Sequence, residues 1–339
     1  MSDSFEKWLC DLPKAELHLH IDGSLTAKRL LATARKNGVA LPYRNLDEVN
    51  TAYSFSDLQS FLDLYYMGAS VLKDEEDFYN LMMDYLLVCR KENILHCEIM
   101  VEPQAYFPGG VSFSTMMLGF NRAISEAKSD WGQSVLLILS MLRHLSEAEA
   151  IQTLDLAEPY REYFCAIGLA SAEKGNPPGK FSRLYAKAQE RGYLAVAHAG
   201  EEGPPQYIRD ALGILNVQRI DHGVRCIEDD SLVEVLASKK IPLTVCPLSN
   251  VRLCVFKTMQ DHNILKLMDS GLLVTVNSDD PAYFGGYLNE NYLALYRDLG
   301  LSKVQALQLA RNSINASFLS EQEKVSYLQR INNYASRLS

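Results

Sequence analysis

The residues of this chain best suited to chemistry lie in the segment Glu16-Leu17-His18-Leu19-His20-Ile21-Asp22. In an extended strand, successive side chains point to opposite faces. That alternation puts Glu16, His18, His20 and Asp22 on one face and Leu17, Leu19 and Ile21 on the other. A buried polar row is costly unless its members are hydrogen-bonded, paired or bound to a metal. Two imidazoles two residues apart can chelate one ion. A strand with its polar face in water explains the same pattern, and the segment alone favours neither reading.

Three more stretches combine imidazoles and carboxylates: His198-Ala199-Gly200-Glu201, Asp221-His222-Gly223 and Asn277-Ser278-Asp279-Asp280-Pro281. Each has an ordinary structural explanation. His198 fits a core histidine in an apolar strand, and Glu201 with Glu202 fits a solvated turn. Asp221 beside His222 fits a local hydrogen-bonded pair, and Asp279-Asp280-Pro281 fits a turn. His96, His144 and His262 have no partner at ligand spacing. We read His96 and His262 as structural, whereas His144, near a strand end, stays open.

Several chemistries are excluded by what the chain lacks. There is no His-Glu-x-x-His, no P-loop, no Gly-x-Ser-x-Gly elbow and no cytidine-deaminase-type His-x-Glu with Pro-Cys-x-x-Cys. A net charge of −9 without a basic run disfavours nucleic acid as a partner. The N-terminus has neither the basic start nor the apolar core of a signal peptide, and no apolar stretch is long enough to span a bilayer. The seven cysteines are odd in number and include no Cys-x-x-Cys pair, so they read as reduced residues of a cytoplasmic protein.

These groups must be held by the elements around them. Eight short apolar or β-branched runs, at about 15–20, 94–101, 134–142, 164–170, 194–199, 219–221, 243–247 and 273–277, read as strands. Segments of helical periodicity lie between most of them, including 56–72, 74–92, 113–128, 147–160 and 180–190. Ser146-x-x-Glu149 is a capping box, Asp229 or Asp230 can cap the helix before Leu232, and Arg191-Gly192 closes another helix. This alternation predicts an α/β fold, a (β/α)8 TIM-type barrel. The competing open doubly wound sheet lacks its usual Gly-x-Gly-x-x-Gly after the first strand. We expect one domain over residues 1–339. Its extra helices fall at 26–90, near the barrel mouth, and at 302–336, with a C-terminal helix over 316–339.

With the strands assigned, the four reactive stretches all fall at the C-terminal ends of strands one, five, six and eight. In a barrel that end is the active face, where residues from different strands converge. The coincidence raises the shared-ion reading above the separate structural ones. Three histidines and one carboxylate suit a zinc-type ion, with room left for a water. The fourth strand ends Gly168-Leu169-Ala170-Ser171, with no lysine to be carbamylated between two metals, which argues for a single ion.

At these residues the chain resembles the adenosine deaminase-like family of metal-dependent hydrolases. The matching strings are Leu-Pro-Lys-Ala-Glu-Leu-His-Leu-His-Ile-Asp-Gly-Ser (12–24), His-Ala-Gly-Glu (198–201), Arg-Ile-Asp-His-Gly (219–223), Cys-Pro-Leu-Ser-Asn (246–250) and Ser-Asp-Asp-Pro (278–281). In order and spacing they cover about residues 12–315. Two longer strings, 198–205 and 278–287, are more similar to the adenine deaminase branch of the family. Two positions depart from the pattern. Ala170 stands where the family commonly has aspartate. Asp22 stands where the adenine branch often has glutamate, and the adenosine branch uses an aspartate there on the ribose.

The resemblance implies hydrolytic deamination at C6 of a 6-aminopurine. For adenine the product is hypoxanthine, a step of purine salvage; adenosine, an N6-substituted adenine or another amidohydrolase substrate are the alternatives. It implies His18, His20, His198 and Asp279 as metal ligands. They would hold one Zn2+ per subunit, or another divalent metal such as iron. It further implies Glu201 as proton donor to purine N1, His222 as the group acting on the attacking water, and Asp280 as partner of purine N7. Asp22 and Glu173, in the loop after the fourth strand, are implied as substrate contacts. The partner is then a small-molecule purine, with no nucleic acid and no membrane, and the oligomeric state is left open.

Overall fold

A computed structural model describes residues 2–53, 55 and 58–336. Eight strands, β1 (Lys14–His20), β2 (Ile94–Val101), β3 (Ser134–Leu142), β4 (Phe164–Ala170), β5 (Leu194–Ala199), β6 (Arg219–His222), β7 (Pro242–Val245) and β8 (Leu273–Val276), pair in parallel in chain order. The circle closes beyond the end of β8. Leu19 bridges to Asp279, the Asp279 N–H donates to the His18 carbonyl at 3.1 Å, and the His20 N–H donates to the Asp279 carbonyl at 3.0 Å. The result is the predicted (β/α)8 barrel. Strands covered on both faces should be near-continuously apolar, and β4 is.

Alternate strand positions build two distinct cores. Ile99, Leu139, Ile167 and Ala197 belong to the large core shared with the covering helices. Met100, Ile138, Ala166 and Val196 form a separate small cluster inside the barrel. Arg219 pairs with Glu98 toward the N-terminal ends of the strands, and toward the mouth the interior turns polar, with Asp221, Thr244 and the site histidines all buried.

The helices follow their local signals. Asp74 forms a capping box with Asp77 at the start of the helix Glu75–Lys91, and Ser146 forms one with Glu149 before Glu147–Ala157. Asp229 caps Asp230–Lys239. Some predicted boundaries move for identifiable reasons. β7 stops at Val245 rather than running to residue 247, because Pro247 begins the short helix Pro247–Arg252, where its missing N–H costs nothing. The predicted helix over 147–160 gives way after Ala157 to a tighter turn, Glu158–Tyr163, with Pro159 in its first turn.

Among the described residues, four α-helices lie between β1 and β2, the third being Leu58–Ala69. Of the helix predicted over 56–72, residues 56 and 57 lie outside those described, as do 337–339 of the predicted C-terminal helix. The helix Lys303–Asn315 packs across β8 and β1, and the Ser313 hydroxyl accepts from the Ala15 N–H at 2.9 Å. Among the described residues, no helix is long and apolar enough to cross a membrane.

One expectation needs correction. The polar face of β1 is not a single row. Its register against β2 slips between Glu16 and Leu19, which breaks the alternation. Glu16 turns to the Tyr85 hydroxyl of the covering helix, at 2.7 Å, and to both the N–H and the hydroxyl of Ser278. It therefore fastens β1 to the end of β8, while His18 and His20 face the barrel mouth.

Candidate active site

His18 and His20 close β1, His198 stands near the end of β5, and His222 ends β6. Asp279 and Asp280 follow β8. His222 and Asp279 both adopt the left-handed backbone conformation, with φ of 63° each. For a residue with a side chain this costs about 1–2 kcal/mol. Such strain is typical of sites where the surrounding structure dictates a side chain's direction. Here it accompanies side chains brought together at the mouth.

The imidazoles and the carboxylate converge. His20 Nε2 lies 3.2 Å from His198 Nε2, and both His18 Nε2 and His20 Nε2 lie 3.3 Å from Asp279 Oδ1. His18, His198, His222 and Asp279 each bring a donor atom within 4.8 Å of the others. His18 Nε2 is buried without a hydrogen-bond partner. An orphaned buried nitrogen facing a carboxylate and two other imidazoles fits a divalent cation in a nitrogen-rich, one-carboxylate site.

Groups behind the histidines set their orientation. His18 Nδ1 meets the Thr244 hydroxyl at 2.9 Å, and that hydroxyl donates to Asp221 Oδ1 at 2.8 Å. Asp221 Oδ2 stands 3.7 Å from His198 Nδ1, beyond hydrogen-bond reach. His20 Nδ1 meets Glu102 Oε1 at 2.7 Å. Outer partners of this kind fix ring tautomer and direction in metal sites. Thr244 and Glu102 carry no signal in the sequence, and Asp221 stands out there only as a neighbour of His222. A lone Thr inside a strand, or a lone Glu just after one, carries no spacing signal. Thr244→Val keeps the shape and removes the link between Asp221 and His18. We expect it to weaken metal affinity by about 10–100-fold, read by titration against a competing chelator.

Burial and neighbouring charge tune the protonation states. Burial, followed by the charges of His18, His222 and His20, pushes His198 well below the usual histidine range. Burial takes His222 down to about 3. Asp279 is held well below the usual carboxylate range, because His18 and the other histidines outweigh its burial. Glu201 and Asp280 move the other way, well above that range, through burial first and the charge of Asp279 next. The site thus favours neutral His198 and His222 and an ionised Asp279 beside two carboxyls that favour keeping their protons.

A cavity opens above this cluster. It has room for the centres of water-sized molecules over about 40 Å³. Glu201, His222 and Asp280 line it together with Phe61, Leu62 and Tyr65 of the helix Leu58–Ala69. Glu201 Oε1 and Asp280 Oδ1 have no hydrogen-bond partner. Asp280 needs the glycine at 23, where an added Cβ would fall 2.5 Å from its Cα. In the structure Asn250 lies between two rings, with Nδ2 3.3 Å from His222 Nδ1 and Oδ1 3.3 Å from His262 Nε2. His262 is thereby a buried support for His222. His96 bonds Ser134 at 2.8 Å and adjoins Glu98. His144, the open case, meets Ser171 at 2.8 Å at the cavity edge.

Two expected substrate contacts are placed elsewhere. Asp22 accepts from the Tyr106 hydroxyl and adjoins Glu102 and Tyr65 without lining the cavity. Burial, followed by the charge of Glu102, raises its pKa to about 7. Glu173 is turned away entirely, its two oxygens occupied by backbone N–H groups of residues 200–203. In the loop after β4 it is Ser171, joined to the Tyr66 hydroxyl at 2.9 Å, that reaches the cavity.

A parallel eight-stranded barrel that gathers a His-x-His pair, a further histidine and an aspartate at its C-terminal mouth defines a metal-dependent hydrolase. Comparison with known proteins narrows the class. The family described as adenosine deaminase matches residues 13–334, and the chain belongs to that family. An adenine deaminase from Hahella chejuensis is 55% identical over 97% of this chain and 98% of its own length. One from Pseudomonas putida is 53% identical over 91% of this chain and 98% of its own. The crystal structure of an adenine deaminase from Arthrobacter aurescens superposes with a TM-score of 0.94 at 46% identity, covering 96% of this chain and 99% of that one.

Proposed function

We propose that this chain hydrolyses adenine to hypoxanthine and ammonia. The observation that carries the reading is the agreement of two facts. Relatives more than half identical over nearly the whole chain are adenine deaminases, and the donor cluster here opens on a small cavity walled by the carboxyls of Glu201 and Asp280 and by aromatic rings. His18, His20, His198 and Asp279 would hold the metal, and three imidazoles with one carboxylate favour a single zinc ion. Such an ion, when bound, makes water nucleophilic near neutral pH by lowering its pKa to about 7.

The chain's own groups do the rest. Glu201, protonated and unpartnered, gives its proton to purine N1, so that the ring can accept electron density at C6. With Asn250 Nδ2 donating to His222 Nδ1, His222 carries its hydrogen on Nε2. That N–H orients the attacking oxygen and stabilises its developing charge. Asp280 donates to purine N7 through a proton that its environment retains. Phe61, Leu62 and Tyr65 cover the ring and exclude water. A C6–O bond forms, the C6–N bond breaks and ammonia leaves.

The geometry favours the base over the nucleoside. The carboxyl of Asp22, the position matched to ribose recognition, is engaged by Tyr106, and the helix Leu58–Ala69 stands across the cavity. We take the barrel to act as one domain, with its 26–90 insertion as cover. We place it in the cytoplasm because its seven cysteines are free. The test compares ammonia release from adenine, adenosine and an N6-substituted adenine, with metal analysis of the same sample. We expect kcat/KM for adenine to exceed that of the other two by more than about tenfold. A preference for adenosine would overturn the reading.

A further inference from the structure

Glu173 is only 2% exposed, yet it does not line the cavity. Its Oε1 accepts from the Gly200 N–H at 2.7 Å. Its Oε2 accepts from the N–H groups of Glu201, Glu202 and Gly203 at 3.1, 2.8 and 2.7 Å. Four consecutive backbone donors thus converge on one carboxylate from a different loop. Charge-assisted bonds to backbone N–H groups are stronger than neutral ones, and such a concave run of donors suits an anion. Gly203 permits the approach, since a Cβ there would fall 2.5 Å from Glu173 Oε1.

The far side of this contact is braced as well. Buried Arg143 donates to the Asn176 carbonyl at 2.9 and 2.7 Å and to the His198 carbonyl at 2.7 Å. The loop after β4 and the end of β5 are therefore joined at two points. The carboxyl of Glu201 has no comparable hold. Its Oε1 is unpartnered, and its Oε2 stands 3.5 Å from His222 Nε2.

We propose that Glu173 is the positioning residue for Glu201, a buried anion from the neighbouring loop that clamps residues 200–203 and aims the proton donor at the purine. This rests on the reading of Glu201 as that donor. A positioning role predicts loss of turnover without loss of binding, since a displacement of about 1 Å in a reacting group can cost about 10²-fold in rate.

The test uses the full-length, metal-loaded chain with adenine, alongside Glu201→Gln. In Glu173→Gln an amide NH2 replaces one acceptor and opposes the backbone donors. We expect kcat to fall by about 10²-fold, with KM and metal content within about twofold of wild type. Gly203→Ala attacks the same clamp from the loop side and should give the same split, so it decides the matter if Glu173→Gln does not fold. Glu173→Asp keeps the charge but is shorter, and should recover part of kcat. A folded Glu173→Gln with near-normal kcat overturns the proposal, as does raised KM at unchanged kcat, which would make Glu173 a purine contact. If wild type does not release ammonia from adenine, or if Glu201→Gln is fully active, the functional reading falls instead.

Discussion

Glu201→Gln binds its metal and loses turnover. We expect kcat with adenine to fall by about 10²–10⁴-fold, the usual contribution of a positioned general acid. The wild-type carboxyl is buried, its Oε1 unpartnered, and burial with the charge of Asp279 holds its proton on well above the ordinary carboxylate range. An amide matches its size but has no proton to give N1. Because Glu201 is no ligand in this assignment, metal content should be unchanged. The acid form is the active one, so wild-type kcat/KM should decline as pH rises through the Glu201 pKa. The variant should lack that limb. Steady-state kinetics and metal analysis on one preparation decide it, and near-wild-type kcat in the variant would refute the role.

The second large effect comes from the first strand. His20→Ala should lose both metal and activity, whereas His222→Ala should lose activity and keep its metal. Both rings stand at the cluster. His222 joins His18, His198 and Asp279 in one group of donors, while His20 Nε2 is 3.2 Å from His198 and 3.3 Å from Asp279. What separates them is the group behind each ring. Glu102 meets His20 Nδ1 at 2.7 Å, leaving Nε2 directed at the cluster, as a carboxylate-backed metal ligand is. His222 is backed by the amide of Asn250 instead. Loss of an outer partner alone weakens metal binding about 10–100-fold, so removing the ligand itself should exceed the upper end of that range. A metal-replete, active His20→Ala would overturn the ligand set. A metal-free His222→Ala would exchange the two assignments.

Much of the architecture was already present in local patterns. Seven of the eight strand runs end within one residue of the observed strands, because covered parallel strands are recorded as short, nearly unbroken apolar stretches. The exception, β7, overran because Cys246-Pro247 continues the apolar run while already belonging to a helix. Capping at Ser146 and Asp229 was equally local. The supporting groups were not. Thr244, Glu102 and Glu173 act on residues 226, 82 and about 30 positions away, and no spacing rule spans such separations.

His18, His20, His198, Glu201, His222, Asp279 and Asp280 stand out in the chain itself, since residue type and a strand-end position are properties of a few neighbouring residues. Which of them meet was decided only by closure of the barrel, where Asp279 docks on β1 and the slip after Glu16 turns that carboxylate to Tyr85 and Ser278. It was likewise tertiary structure that set Glu173 against the 200–203 backbone rather than the purine pocket. Alternation is written along one strand. The meeting of two strand ends depends on contacts between residues some 260 positions apart, such as Glu16 and Ser278, and those exist only once the chain has folded.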